Sequence, residues 1–111
     1  MPNVKLYVDD TVWPAHAETL RASLQPLREL LCVELAVSVE ACQLAIVPVI
    51  GLADQPQVNI ELAILPRPER TPEKLRALGE TLRGRIAPAS GGARVAVRYT
   101  TLDPVTYVAL K

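Results

Sequence analysis

Pro2-Asn3-Val4-Lys5-Leu6-Tyr7-Val8 alternates in character, with Val4, Leu6 and Val8 on one side and Asn3, Lys5 and Tyr7 on the other. That is the period-two pattern of a half-buried strand. Pro2 heads it, at a position where a missing N–H costs no ladder bond. Behind the initiator Met1 it carries a second meaning. Removal of Met1 would leave Pro2 as a secondary-amine N-terminus, a group able to act as a general base without side-chain help. An α-amine titrates at roughly 7.7–8.0 in short peptides. Apolar burial and nearby cations lower that value, towards the working pH at which acid–base catalysis is most efficient. Both readings of Pro2, strand-initiating proline and catalytic base, stand at this point.

Working outward, Asp9 to Trp13 forms a turn, and Pro14 suits the first turn of a helix, where its absent donor is not missed. Leu20, Leu24, Leu27 and Leu31 follow at spacings of four, three and four, which predicts one apolar stripe on a helix of about eighteen residues. The stripe stays in phase across Pro26, so a continuous helix kinked at that proline is expected. Cys42 to Ile50 is nearly all apolar and reads as a strand buried on both faces, with Pro48 marking an edge or a bulge. Gly51 to Pro56 is turn-like, and Val58, Ile60, Leu62 and Ile64 then alternate with Asn59, Glu61, Ala63 and Leu65 as a third strand.

Thr71-Pro72-Glu73 places an N-cap hydroxyl, a first-turn proline and a dipole-complementing acid in sequence. Leu75, Leu78, Leu82 and Ile86 form the buried stripe of this second helix, Gly79 allows a close approach to the sheet, and Ala87-Pro88 with Gly91-Gly92 ends it. A fourth strand runs from Arg94 to Tyr99, with Val95, Val97 and Tyr99 opposed to Arg94, Ala96 and Arg98; Pro104 to Leu110 could extend it.

Composition bounds the function. The chain has 111 residues, half of them apolar, enough for one domain (1–111) with a single core. There is no Phe, so Leu, Val, Ile and Ala must build that core. Twelve basic residues balance twelve acidic ones, and no global field draws nucleic acid or an anionic membrane. The apolar runs are too short to span a bilayer and no signal segment is evident, so a cytoplasmic location is expected. Cys32, Cys42 and the single His16 lack metal-ligand spacing, and the thiols read as small hydrophobes. His16 reads as a solvated surface residue and Trp13 as a cap on the core.

The element order is therefore β-α-β-β-α-β. Val4 to Val8 parallels Ile60 to Ile64, and Leu20-Arg21-Ala22 parallels Leu75-Arg76-Ala77. Duplication of a β-α-β unit with right-handed crossovers, spanning about 2–50 and 57–111, accounts for this. The expected fold is α+β: a four-stranded mixed sheet with two helices on one face. Apolar residues on the other face call for cover by further subunits.

This pattern resembles the tautomerase superfamily, whose larger members include the macrophage migration inhibitory factor and 5-carboxymethyl-2-hydroxymuconate isomerase groups. The resemblance rests on the Met-Pro start, the two β-α-β units, and Asn59-Ile60-Glu61-Leu62-Ala63-Ile64 leading through Arg70-Thr71-Pro72-Glu73 to Leu78-Gly79. It implies a homotrimer with active sites at subunit boundaries, no metal or organic cofactor, and an N-terminal proline that moves a proton in a small 2-hydroxydienoate or enol carboxylate. On that resemblance Pro2 is the catalytic base. Positions where smaller members carry substrate-binding arginines hold Val12 and Leu44 or Ala45, and the lysine of the inhibitory-factor branch falls near Val39. Arg98 is the candidate replacement clamp for a carboxylate. Lys5 is the second substrate-binding candidate, with a salt bridge to Glu61 as its competing role. A trimeric scaffold or small-ligand binder that has lost the chemistry is the alternative.

Overall fold

The computed structural model describes residues 2–111. Its elements are β1 (Asn3–Asp9), α1 (Trp13–Leu35), a single 3-10 turn at Val39–Ala41, β2 (Gln43–Val49), β3 (Val58–Ile64), α2 (Pro72–Ala89) and β4 (Val95–Thr101). They form one four-stranded sheet in the order β2-β1-β3-β4. β1 pairs parallel with β2 and β3 parallel with β4, while β1 and β3 run antiparallel at the centre. The sheet is mixed, as expected, and each parallel pair is joined through one helix.

Alternation decides which face is dry. Val4, Leu6 and Val8 of β1 and Val58, Ile60, Leu62 and Ile64 of β3 are essentially inaccessible. They meet Leu20, Leu27, Leu31 and Leu35 of α1 and Leu78, Leu82 and Ile86 of α2 in one core. Each such side chain contributes about 1.5–3 kcal/mol when fully buried. Both helices therefore lie on this face. The opposite face carries Asn3, Lys5, Tyr7, Asn59, Glu61 and Ala63, none of them buried.

Three local expectations are corrected. α1 is longer than the leucine stripe suggested, and its non-helical backbone lies at His16 (φ −123°, ψ 15°), one turn in, rather than at Pro26. Pro26 and Ala22 are both exposed, so the Ala22 carbonyl that loses its helical donor can turn to water. β2 is an edge strand bonded only to β1, one of the two positions that Pro48 suggested, with Pro48 exposed on it; but it is mostly half-buried, and in a single chain it is not covered on both faces as expected. The segment after β4 does not extend the sheet. It folds into a turn in which Asp103 carbonyl accepts from the Thr106 and Tyr107 N–H groups.

The α2 start agrees with its sequence signal. Thr71 Oγ1 accepts from the Lys74 N–H at 3.3 Å, with Pro72 at the first helical position. The helix runs past Pro88 to Ala89, and the Ser90 hydroxyl closes it by donating to the Ile86 carbonyl at 2.7 Å. Gly91 and Gly92 then reverse the chain with φ of 73° and 82°, the left-handed region that favours glycine. No helix among the described residues is long and apolar enough to cross a membrane.

Candidate functional site

Pro2 precedes β1 and has the parity of Val4, Leu6 and Val8, which turns its ring toward the helices; it is buried. Its carbonyl accepts from the Gln43 N–H at 3.1 Å. Since Asn3 pairs with Gln43, the residue facing Pro2 in register is Cys42, just before β2. That residue is 3% exposed. Burial, followed by the adjoining Cys32 thiol, pushes the Cys42 thiol up to about 11. Pro2 thus stands buried at the head of an inner strand, with a neutral thiol at the facing register position. Such surroundings disfavour an ammonium charge.

Lys5 and Arg98 lie on the other face. Cross-strand register sets Lys5 opposite Glu61, and Glu61 opposite Arg98, a row of cation, anion and cation across β1, β3 and β4. The sequence-based pairing of Lys5 with Glu61 gives way to another partner: the Lys5 ammonium donates to Asn3 Oδ1 at 2.6 Å. Arg98 Nη1 donates to Asn59 Oδ1 at 2.6 Å, and Asn59 Nδ2 in turn reaches the Pro56 carbonyl at 3.1 Å. The structure brings Lys5 and Arg98 onto one face with a shared carboxylate between them. It does not bring either to the side of the sheet that carries the Pro2 ring.

Asp9 was read only as part of a turn, yet it organises the far end of β1. It is 8% exposed, with Oδ2 accepting from the Thr11 hydroxyl (2.6 Å) and N–H (3.0 Å) and Oδ1 from the Gly51 N–H (3.1 Å). The bonds from Thr11, then that from Gly51, hold its carboxyl below the usual carboxylate range against the opposing effect of burial. Asp9-Asp10-Thr11 has the composition of an Asx turn, the signal by which this role was legible. His16, expected in solvent, is half-buried against Gly91. Trp13 opens α1 and packs on the core as expected, with the Arg21 guanidinium 5.7 Å above its ring centroid.

No family model and no curated protein matches this sequence. Solved structures do. A Vibrio cholerae protein of unknown function superposes with a TM-score of 0.76 at 13% identity, over 97% of this chain and 83% of that one. A macrophage migration inhibitory factor-like protein from Entamoeba histolytica gives 0.73 at 11% identity, over 97% and 94%. A fused 4-OT described as a symmetric trimer gives 0.62 at 15% identity, over 90% and 85%. The chain has the tautomerase fold.

Proposed function

We propose that this protein is a cofactor-independent keto–enol tautomerase for a small 2-hydroxydienoate or enol carboxylate, with the Pro2 amine, freed by removal of Met1, as general base. The observation that carries this reading is the position of Pro2: a buried residue at the head of an inner strand, its carbonyl fixed by Gln43, in a fold shared with tautomerase-type proteins. The unprotonated amine takes a proton from the enol hydroxyl of the substrate. The O–H electron pair becomes the carbonyl π bond, and the proton returns from the prolinium to the distal carbon of the diene. Atoms and charge balance with no other reactant.

The substrate carboxylate needs a cation, and within one chain Lys5 and Arg98 stand across the sheet from the Pro2 ring. We assign them to a pocket that a second copy completes. A homotrimer closing on the open sheet face supplies the arrangement, and one structural neighbour is itself described as a symmetric trimer. The reading is tested by ketonisation of phenylpyruvate or 2-hydroxymuconate with protein whose intact mass lacks Met1. Activity is expected to fall by about 10²-fold or more in Pro2→Ala, as for loss of a general base; equal rates would remove Pro2 from the mechanism.

One observation favours a second reading, a trimeric scaffold or small-ligand binder without turnover. The Arg98 guanidinium is already engaged by Asn59, and a clamp tied to its own sheet is less free to hold substrate. Retention of Met1 in the natural protein would select this reading, because an acylated Pro2 nitrogen has no basicity.

A further inference from the structure

On the helix side of the sheet, at the edge farthest from the β1–β2 pair that carries Pro2, α2 and β4 enclose a groove of about 330 Å³. Its chemistry is unlike that of the core beneath it. Leu75 and Val97 wall it, Arg76 and Arg83 stand on its helix side, and the Tyr99 ring lines it. Gly79 is why the space exists. A Cβ built there would lie 3.6 Å from Val97 Cγ1 and 3.7 Å from Tyr99 Cε2 and Oη, in ordinary van der Waals contact, so a methyl group would already touch these walls and anything longer would take up the groove. A glycine that is not needed for close approach leaves room for something else.

Two polar groups in the groove are unspent. The Tyr99 hydroxyl is shut off from water and has no hydrogen-bond partner, an arrangement native structures rarely leave uncompensated. Burial pushes that phenol up to about 12, so it holds its proton and can donate. Arg83 is paired with Glu80 at 2.6 Å, whereas Arg76 has no ionic partner among the described residues. The balance of Arg76, Arg83 and Glu80 is one positive charge, which suits a monoanion better than a phosphate dianion.

We infer that this groove is a second ligand site, for a small flat aromatic monocarboxylate with an oxygen acceptor at its far end. Arg76 takes the carboxylate at the rim, the ring lies between Leu75 and Val97, and a turn of the Tyr99 ring toward the groove lets its O–H donate to the acceptor beside Gly79. The site is separate from Pro2 and does not depend on its chemistry.

Amide-shift titration of the intact protein with 4-hydroxybenzoate, benzoate and inorganic phosphate at constant ionic strength tests it. Saturable shifts at Gly79, Val97 and Tyr99 are expected with both aromatic acids and not with phosphate, 4-hydroxybenzoate binding more tightly. Arg76→Gln, an exposed change, should weaken both acids about tenfold, the scale of a charge-assisted hydrogen bond. Tyr99→Phe should erase the preference for 4-hydroxybenzoate, and Gly79→Leu should abolish binding. The same titration in Pro2→Ala should be unchanged, which separates this site from the tautomerase reading. Shifts centred on Pro2, an equal response to phosphate, no saturable response, or unaltered affinity in Arg76→Gln would each overturn the assignment.

Discussion

At the scale of single residues, Asp9 and Gly91 show how much one side chain or its absence decides. Three donors converge on the Asp9 carboxylate and hold it below its usual range. A carboxyl depressed in the folded state contributes stability that is present above its unfolded pKa and lost as pH falls through the folded one. Urea unfolding should therefore show Asp9→Asn less stable than the parent at pH 7, with the difference shrinking below about pH 4; a pH-independent difference would remove the charge from the account. At Gly91, two effects compete. An added Cβ would sit 2.4 Å from His16 Nε2, but an imidazole can swing aside, whereas φ of 73° cannot be relieved without refolding the turn. Gly91→Ala should cost about 1–2 kcal/mol, the penalty for a left-handed residue bearing a Cβ. Adding His16→Ala should not recover it; full recovery in thermal melts would make the clash the dominant effect.

At the scale of elements, the end of α1 is held by a residue far away in sequence. α1 stops at Leu35, followed by Ala36 in the left-handed conformation with φ of 53°. Arg70, in the loop before α2, donates to the Leu35 carbonyl at 2.9 Å and to the Leu65 carbonyl at 2.5 Å, while Arg67 donates to the Ala36 carbonyl at 3.1 Å. Carbonyls left over at a helix end need such donors, and hydrogen bonds to a charged group are worth about 1.5–3 kcal/mol. Arg70→Ala should lose roughly that much in chemical denaturation, and Arg70→Lys should recover little of it because an ammonium lacks the planar fork. Full recovery by lysine would mean that charge alone suffices. This clasp was not legible in the sequence, where Arg70 stood only as part of the Arg70-Thr71-Pro72-Glu73 stretch carrying the resemblance and nothing tied it to the end of α1. The Thr71-Pro72-Glu73 start was legible because capping is local: its donor and acceptor lie within one turn. The continuous helix through Pro26 was legible because its leucine stripe stays in phase; the break in helical dihedrals at His16 was not, because no local signal marks it.

At the scale of the whole molecule, period-two alternation in β1 and β3 and the leucine stripes carried the architecture, because one buried face leaves no freedom in register. The site was less legible. Parity placed Lys5 across from the Pro2 ring, and β3–β4 register then places Arg98 with Lys5. That follows from alternation only once the strand order is known. On the proposed reading a site split across the sheet makes assembly part of the chemistry, and the open face with Tyr7, Ala63 and Ala96 half-buried and unhelixed is the surface proposed for it. Sedimentation equilibrium should give three times the 12.1 kDa chain mass. A stable monomer at micromolar concentration would contradict both the shared pocket and the covered face.

The proposed base can be observed directly. In protein from its native cell, labelled with ¹⁵N-proline, the Pro2 nitrogen should resonate as a free secondary amine. Its titration midpoint should fall below the roughly 7.7–8.0 of an unperturbed α-amine, as its buried and apolar setting requires. An amide resonance that does not move with pH, or a midpoint at or above that range, would contradict the account.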